Sequence, residues 1–147
     1  MIPNFFNKRP MPEKLPEEME SVIEELRGVI GKEECLRRAY ETMIQRYRGY
    51  RFRTYWRFGE AFETDVEKLW QKTGFLHCHN MNYLFRILLV KSGWFGDDDI
   101  KLKYSLVWYI SPHQYLQIKL DDNSFINVDI WNHNYGKKFG DYARGFH

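Results

Sequence analysis

A chain of 147 residues with 44% hydrophobic and 18% aromatic content has material for one core of ordinary size and buries roughly 68–70% of the surface its unfolded form exposes, without disulfide or metal staples. Its formal charge of +2 is too small to mark a polyanion partner by itself, so nucleic-acid binding would need a local basic patch. Residues 1–10 lack the apolar core of a signal peptide, and the longest apolar stretch, residues 83–90, is broken by Arg86; the expectation is a soluble, cytoplasmic protein without a membrane partner.

Residues 1–15, punctuated by Pro3, Pro10 and Pro12, predict an extended arm on the surface, followed by a single domain over residues 16–147. From Pro16, a favoured first helical position, Met19, Val22, Ile23, Leu26, Val29 and Ile30 recur at helical spacing until Gly31. A second amphipathic helix carries Cys35, Leu36, Ala39, Tyr40, Met43, Ile44 and Tyr47 on one face. Phe62, Val66, Leu69 and Trp70 predict a shorter helix before Gly74. The fourth, over residues 78–92, is apolar on nearly all sides and stops at Gly93, as a central helix does.

After Gly96 the period changes from 3.6 to 2. Leu102, Tyr104, Leu106, Trp108 and Ile110 alternate with polar residues, and Leu116/Ile118/Leu120 and Ile126/Val128/Ile130 flank the turn signal Asp121-Asp122-Asn123-Ser124. The fold class is therefore α+β: N-terminal helices and a central Cys-bearing helix packed on an antiparallel sheet. If the last two apolar sets share one face, their loop must hold three or five residues. His113 and Asp129 then share the other face; with the three-residue loop Asp129 lies opposite Tyr115 and His113 opposite Trp131, within side-chain reach, whereas a two-residue turn at Asp122-Asn123 would put them on opposite faces.

Cys78 stands where a loop gives way to the apolar helix. A helix N-terminus favours thiolate over thiol, and its first N–H groups point where an oxyanion would form on an attacked carbonyl. With a thiol to attack, an imidazole to take its proton and a carboxylate to orient the ring, Cys78, His113 and Asp129 are the candidate catalytic residues. The bland alternatives are a small buried hydrophobe at Cys78, a satisfied strand-end histidine at His113 and a solvated carboxylate at Asp129. Cys35, the only other cysteine, lies on a core stripe, which favours two free thiols over a disulfide. The run His77-Cys78-His79 lacks a second cysteine or a spaced histidine pair, so no metal is expected, and Asp97-Asp98-Asp99 reads as a turn or helix cap rather than a calcium loop. Segment 46–58 interleaves arginines with aromatic rings and has no acid. It suits either a packed connector or a surface for stacked bases.

Residues Thr73 to Cys78 with the helix that follows, the His113-Gln114-Tyr115 strand and the Asn127-Val128-Asp129 strand resemble the transglutaminase-like superfamily of papain-type cysteine enzymes over about residues 33–131. The resemblance implies a helix with the nucleophile at its N-terminus packed on an antiparallel sheet that brings His and then Asp. Cys78 would be the nucleophile, His113 the base and Asp129 the orienting group. It further implies cofactor-free acyl transfer on an amide of a protein or peptide substrate through a thioester, more in the manner of a peptidase or amidase than of a crosslinking enzyme. The alternative is a non-enzymatic module of the same fold that binds through segment 46–58, with nucleic acid as its candidate ligand, whereas the enzyme reading expects no nucleic-acid partner.

Overall fold

A computed structural model describes Phe5 and residues 8–49, 58–107 and 111–132. Within them four α-helices precede a three-stranded antiparallel sheet, an α+β arrangement. Helix α1 (Glu17–Arg27) carries Glu17, Glu18 and Glu20 in its first turn and Arg27 in its last, which complements the helix dipole, and buries Met19, Ile23 and Leu26. It ends earlier than its apolar pattern suggests. Gly28, a poor helix residue, returns its N–H to the Glu25 carbonyl at 3.2 Å, and Ile30 is left 96% exposed.

Helix α2 (Lys32–Arg46) buries Cys35, Leu36, Ala39, Tyr40 and Met43 and runs directly into β1 (Tyr47–Arg48). This short strand pairs in parallel with β2 (Gly74–Phe75), Tyr47 opposite Gly74. Gly74 takes φ +94°, a left-handed conformation that side chains disfavour. Between the two strands lie a 3₁₀ turn (Phe58–Phe62) and α3 (Val66–Gln71), whose Asp65 cap accepts the Glu67 N–H at 3.1 Å.

Helix α4 (Cys78–Lys91) is buried from His79 to Leu89 and packs against α1, α2, α3 and the sheet. A helix so enclosed stabilises the fold through burial on every side, about 1.5–3 kcal/mol for each large apolar side chain. Its one buried guanidinium, Arg86, is 3.0 Å from Asp97 and hydrogen-bonds the Arg9 carbonyl, so the charge is compensated.

Strands β3 (Ile100–Val107), β4 (Ser111–Lys119) and β5 (Phe125–Val128) follow in the order β3-β4-β5. Leu116 pairs with Val128 and Ile118 with Ile126, which sets the expected register. The turn closes around residues 121–123, with Leu120 N–H to Ser124 O at 2.8 Å and Asn123 at φ 63°. Ile100, Leu116, Ile118 and Val128 join the helices in one core. Further along β3 the alternation no longer means burial: Tyr104 is 40% and Leu106 52% exposed.

Residues 8–16 contain no helix or strand, but they are not merely laid on the surface. Met11 and Leu15 pack on the core, Lys8 pairs with Asp97, Arg9 donates to the Thr64 carbonyl, and Phe5 is buried.

Candidate active site

Cys78 is the first residue of α4, capped by His77 in extended conformation. The His77 carbonyl accepts the N–H groups of Asn80 and Met81 at 3.1 and 3.0 Å. The N–H groups of Cys78 and His79 therefore precede the helical ladder and carry the positive end of its dipole to the sulfur. The thiol is half-buried and unoxidised, as is the fully buried Cys35, whose sulfur lies 3.5 Å from the Ser92 hydroxyl.

His113 and Asp129 meet beyond the end of the β4–β5 ladder, whose last pair is Leu116 with Val128. The imidazole Nε2 is 2.8 Å from Asp129 Oδ2, and both residues are buried. A carboxylate only accepts, so Nε2 carries the hydrogen and Nδ1 is left for the sulfur, with which the ring is hydrogen-bonded. Asp129 falls one residue past β5 rather than within the ladder. Its other oxygen accepts the Asn132 N–H at 3.3 Å, three residues on, in the manner of a helix cap, and Asn132 Nδ2 lies 3.3 Å from both carboxylate oxygens. That amide nitrogen is also 3.1 Å from His113 Nε2. The two donors lie side by side because both serve one carboxylate. Trp131 covers the ring, its centroid 5.9 Å from that of His113.

Electrostatics link the three groups. Burial pushes the Cys78 thiol up, but hydrogen bonds and charge from His113 and then His79 outweigh it and bring it down to about 6. Burial pushes His113 down, but the Asp129 charge and hydrogen bond, followed by the sulfur, raise it to about 10. The stable form between those limits is a thiolate beside an imidazolium, two charges that compensate each other in a site where neither would persist alone. Such a pair can attack a carbonyl and protonate a leaving group.

Several neighbours carry no motif. His79 gives its Nε2 hydrogen to the Ala61 carbonyl at 2.8 Å and hydrogen-bonds the sulfur; the run of three residues around Cys78 contained it only as an unconvincing metal motif. Asn82, one turn beyond Cys78, holds Gln114 by donating to its carbonyl at 3.1 Å and its side-chain oxygen at 3.0 Å. Asn132 could have been sought as a polar residue three positions after a buried acid. Gln114 and Asn82 offered no periodic signal.

Among the described residues no group of three or more His, Cys, Asp or Glu is placed to hold a metal ion, and no helix is long and apolar enough to cross a membrane. Of segment 46–58, residues 50–57 lie outside the described part. Arg46 stacks 4.0 Å over the Trp70 ring and pairs with Glu18, and the buried Tyr47 hydroxyl donates to the Trp70 carbonyl at 2.8 Å, so both serve packing. Comparison with protein-family models, with curated proteins and with solved structures gave no match.

Proposed function

We propose that the protein is a cysteine-dependent acyl-transfer enzyme of transglutaminase-like fold, acting on amides of protein or peptide substrates by hydrolysis. The observation that carries the reading is the hydrogen-bonded chain from Cys78 through His113 to Asp129, with the sulfur at the N-terminus of a buried helix. The Cys78 thiolate attacks the amide carbonyl, and the carbonyl π-electrons move to oxygen, where the first N–H groups of the helix supply part of the stabilisation. The C–N bond then breaks, His113 Nδ1 gives its proton to the departing amine, and a thioester remains. Water attacks the thioester, His113 takes one of its protons, and expulsion of the sulfur returns the thiolate and imidazolium with release of the acid. Asp129 keeps the ring in the tautomer that this exchange needs. Electrons and protons balance without a cofactor.

The test follows amine or ammonia release from a panel of peptide amides, with and without an added primary amine. Turnover that disappears in Cys78→Ala and in His113→Ala supports the proposal, and acid rather than a new amide as the product assigns hydrolysis. Turnover that survives Cys78→Ala would remove it.

A further inference from the structure

The main-chain carbonyl oxygen of Phe5 is held by two side chains from the sheet, 109 residues away in the chain for the first: Gln114 Nε2 at 2.6 Å and the Tyr104 hydroxyl. Tyr104 and Gln114 are direct partners across β3 and β4, so both project from one face of the sheet. The Gln114 amide is buried and its orientation is fixed, because Asn82 donates to its oxygen at 3.0 Å and leaves the NH₂ end pointing at Phe5. Two fixed donors converging on one carbonyl oxygen form a ready-made site for a peptide carbonyl. The cradle is linked to the Cys78 sulfur through His79. The Phe5 ring meets His79 edge-on, centroids 5.8 Å apart, and Tyr104 at 5.6 Å; His79 itself hydrogen-bonds Cys78, whose charge reaches the Tyr104 phenol.

We propose that Gln114 and Tyr104 bind the carbonyl of the acyl-donor residue, that the adjoining space selects an aromatic side chain at that residue, and that Phe5 occupies this site within the free protein. The substrate class is thus an extended peptide amide with an aromatic residue at the attacked carbonyl. The inference rests on the acyl-transfer reading above and deepens it. Phe5 is supplied at high effective concentration, since Lys8 and Arg9, a few residues on, are tied to Asp97 and the Thr64 carbonyl. Substrate must displace it, which lowers apparent affinity in proportion to the time the site is filled.

Cys78 labelling by acetyl-phenylalanyl and acetyl-glycyl chloromethyl ketones, with iodoacetamide as a small reference, tests the proposal. Phe5→Ala should raise the rate with the phenylalanyl reagent by about tenfold, as expected for a site otherwise free about a tenth of the time, and should raise the glycyl rate much less. Tyr104→Phe, which removes one hydroxyl from a partly exposed ring, should lower the phenylalanyl rate in the Phe5→Ala background by about tenfold or more. Equal acceleration of both reagents, or none, would overturn the inference while fast iodoacetamide labelling at low pH left the acyl-transfer reading standing. Slow iodoacetamide labelling of Cys78, with the pH dependence of an ordinary thiol, would overturn both.

Discussion

Asp129→Asn changes one atom and removes the charge on which the His113 imidazolium depends. The carboxylate accepts from His113 Nε2 at 2.8 Å and from the Asn132 main chain and side chain at 3.3 Å. An amide has one oxygen for these donors and brings an NH₂ of its own, so at least one buried donor loses its partner, at a cost of about 1–3 kcal/mol. For a domain of this size each kcal/mol lowers Tm by about 2–4 °C. The kinetic effect should be larger. Turning a triad carboxylate into an amide lowers kcat about 10⁴-fold by favouring the wrong tautomer, or about 5 kcal/mol of barrier. Without the Asp129 charge His113 falls, and Cys78, now facing a neutral ring, rises from about 6 toward its ordinary value of 9.0. The assay is iodoacetamide labelling of Cys78 across pH, read by peptide mapping, with thermal unfolding alongside. A folded variant that melts about 2–12 °C below the parent and labels with its midpoint well above 6 fits the reasoning. An unchanged labelling profile in a folded variant would refute it, because Asp129 would then be a cap for Asn132 and nothing more.

Cys78→Ala should change stability by about 1 kcal/mol near neutral pH, and the gap to the parent should widen as pH rises. The sign follows from the two shifts. His113, raised, contributes stability that is full below 6.5 and lost toward about 10, whereas Cys78, lowered, contributes stability that is full above 9.0 and lost as pH falls through about 6. In the parent these slopes cancel between 6.5 and 9.0; in Cys78→Ala only the loss with rising pH remains, so parallel denaturant titrations should diverge. Gly49→Ala would drive a methyl into the ring and carbonyl of Trp131, the residue that covers His113. It should cost about 1–3 kcal/mol in urea unfolding and slow Cys78 labelling by displacing the ring. Cys35, buried and pushed up by desolvation that outweighs the Ser92 hydrogen bond, should label only after denaturation, as quantified by mapping with and without urea.

The site was legible in the sequence chiefly through parity. Requiring Leu116/Ile118 and Ile126/Val128 to face one core fixes the parity of the pairing, and the three-residue loop at 121–123 then sets the register whose far end His113 and Asp129 occupy. The central helix was legible because α4 is apolar on nearly all sides, and its end because Gly93, at φ +86°, follows it. Where burial does not follow periodicity the reading failed. Val29 and Ile30 continue a helical pattern that Gly28 has already ended, and Leu106 alternates correctly on a stretch of β3 that stays exposed. The two-residue pairing of Tyr47 with Gly74 is too short to have a period. Asn132, Asn82 and Gln114 act through single hydrogen bonds, which leave no spacing to detect, and a carbonyl of Phe5 lodged between Gln114 and Tyr104 is a main-chain contact invisible to side-chain patterns.

The charge state of Cys78 in the folded protein is the most direct test of the whole account. Second-order labelling of the native protein by iodoacetamide, measured from pH 4 to 11 and assigned to Cys78 by peptide mapping, reports the thiolate fraction. A rate that rises through about 6 and stays level until His113 loses its proton near 10 is the predicted result. A rate that rises only near the ordinary thiol value of 9.0, indistinguishable from the same chain unfolded in urea, would contradict it.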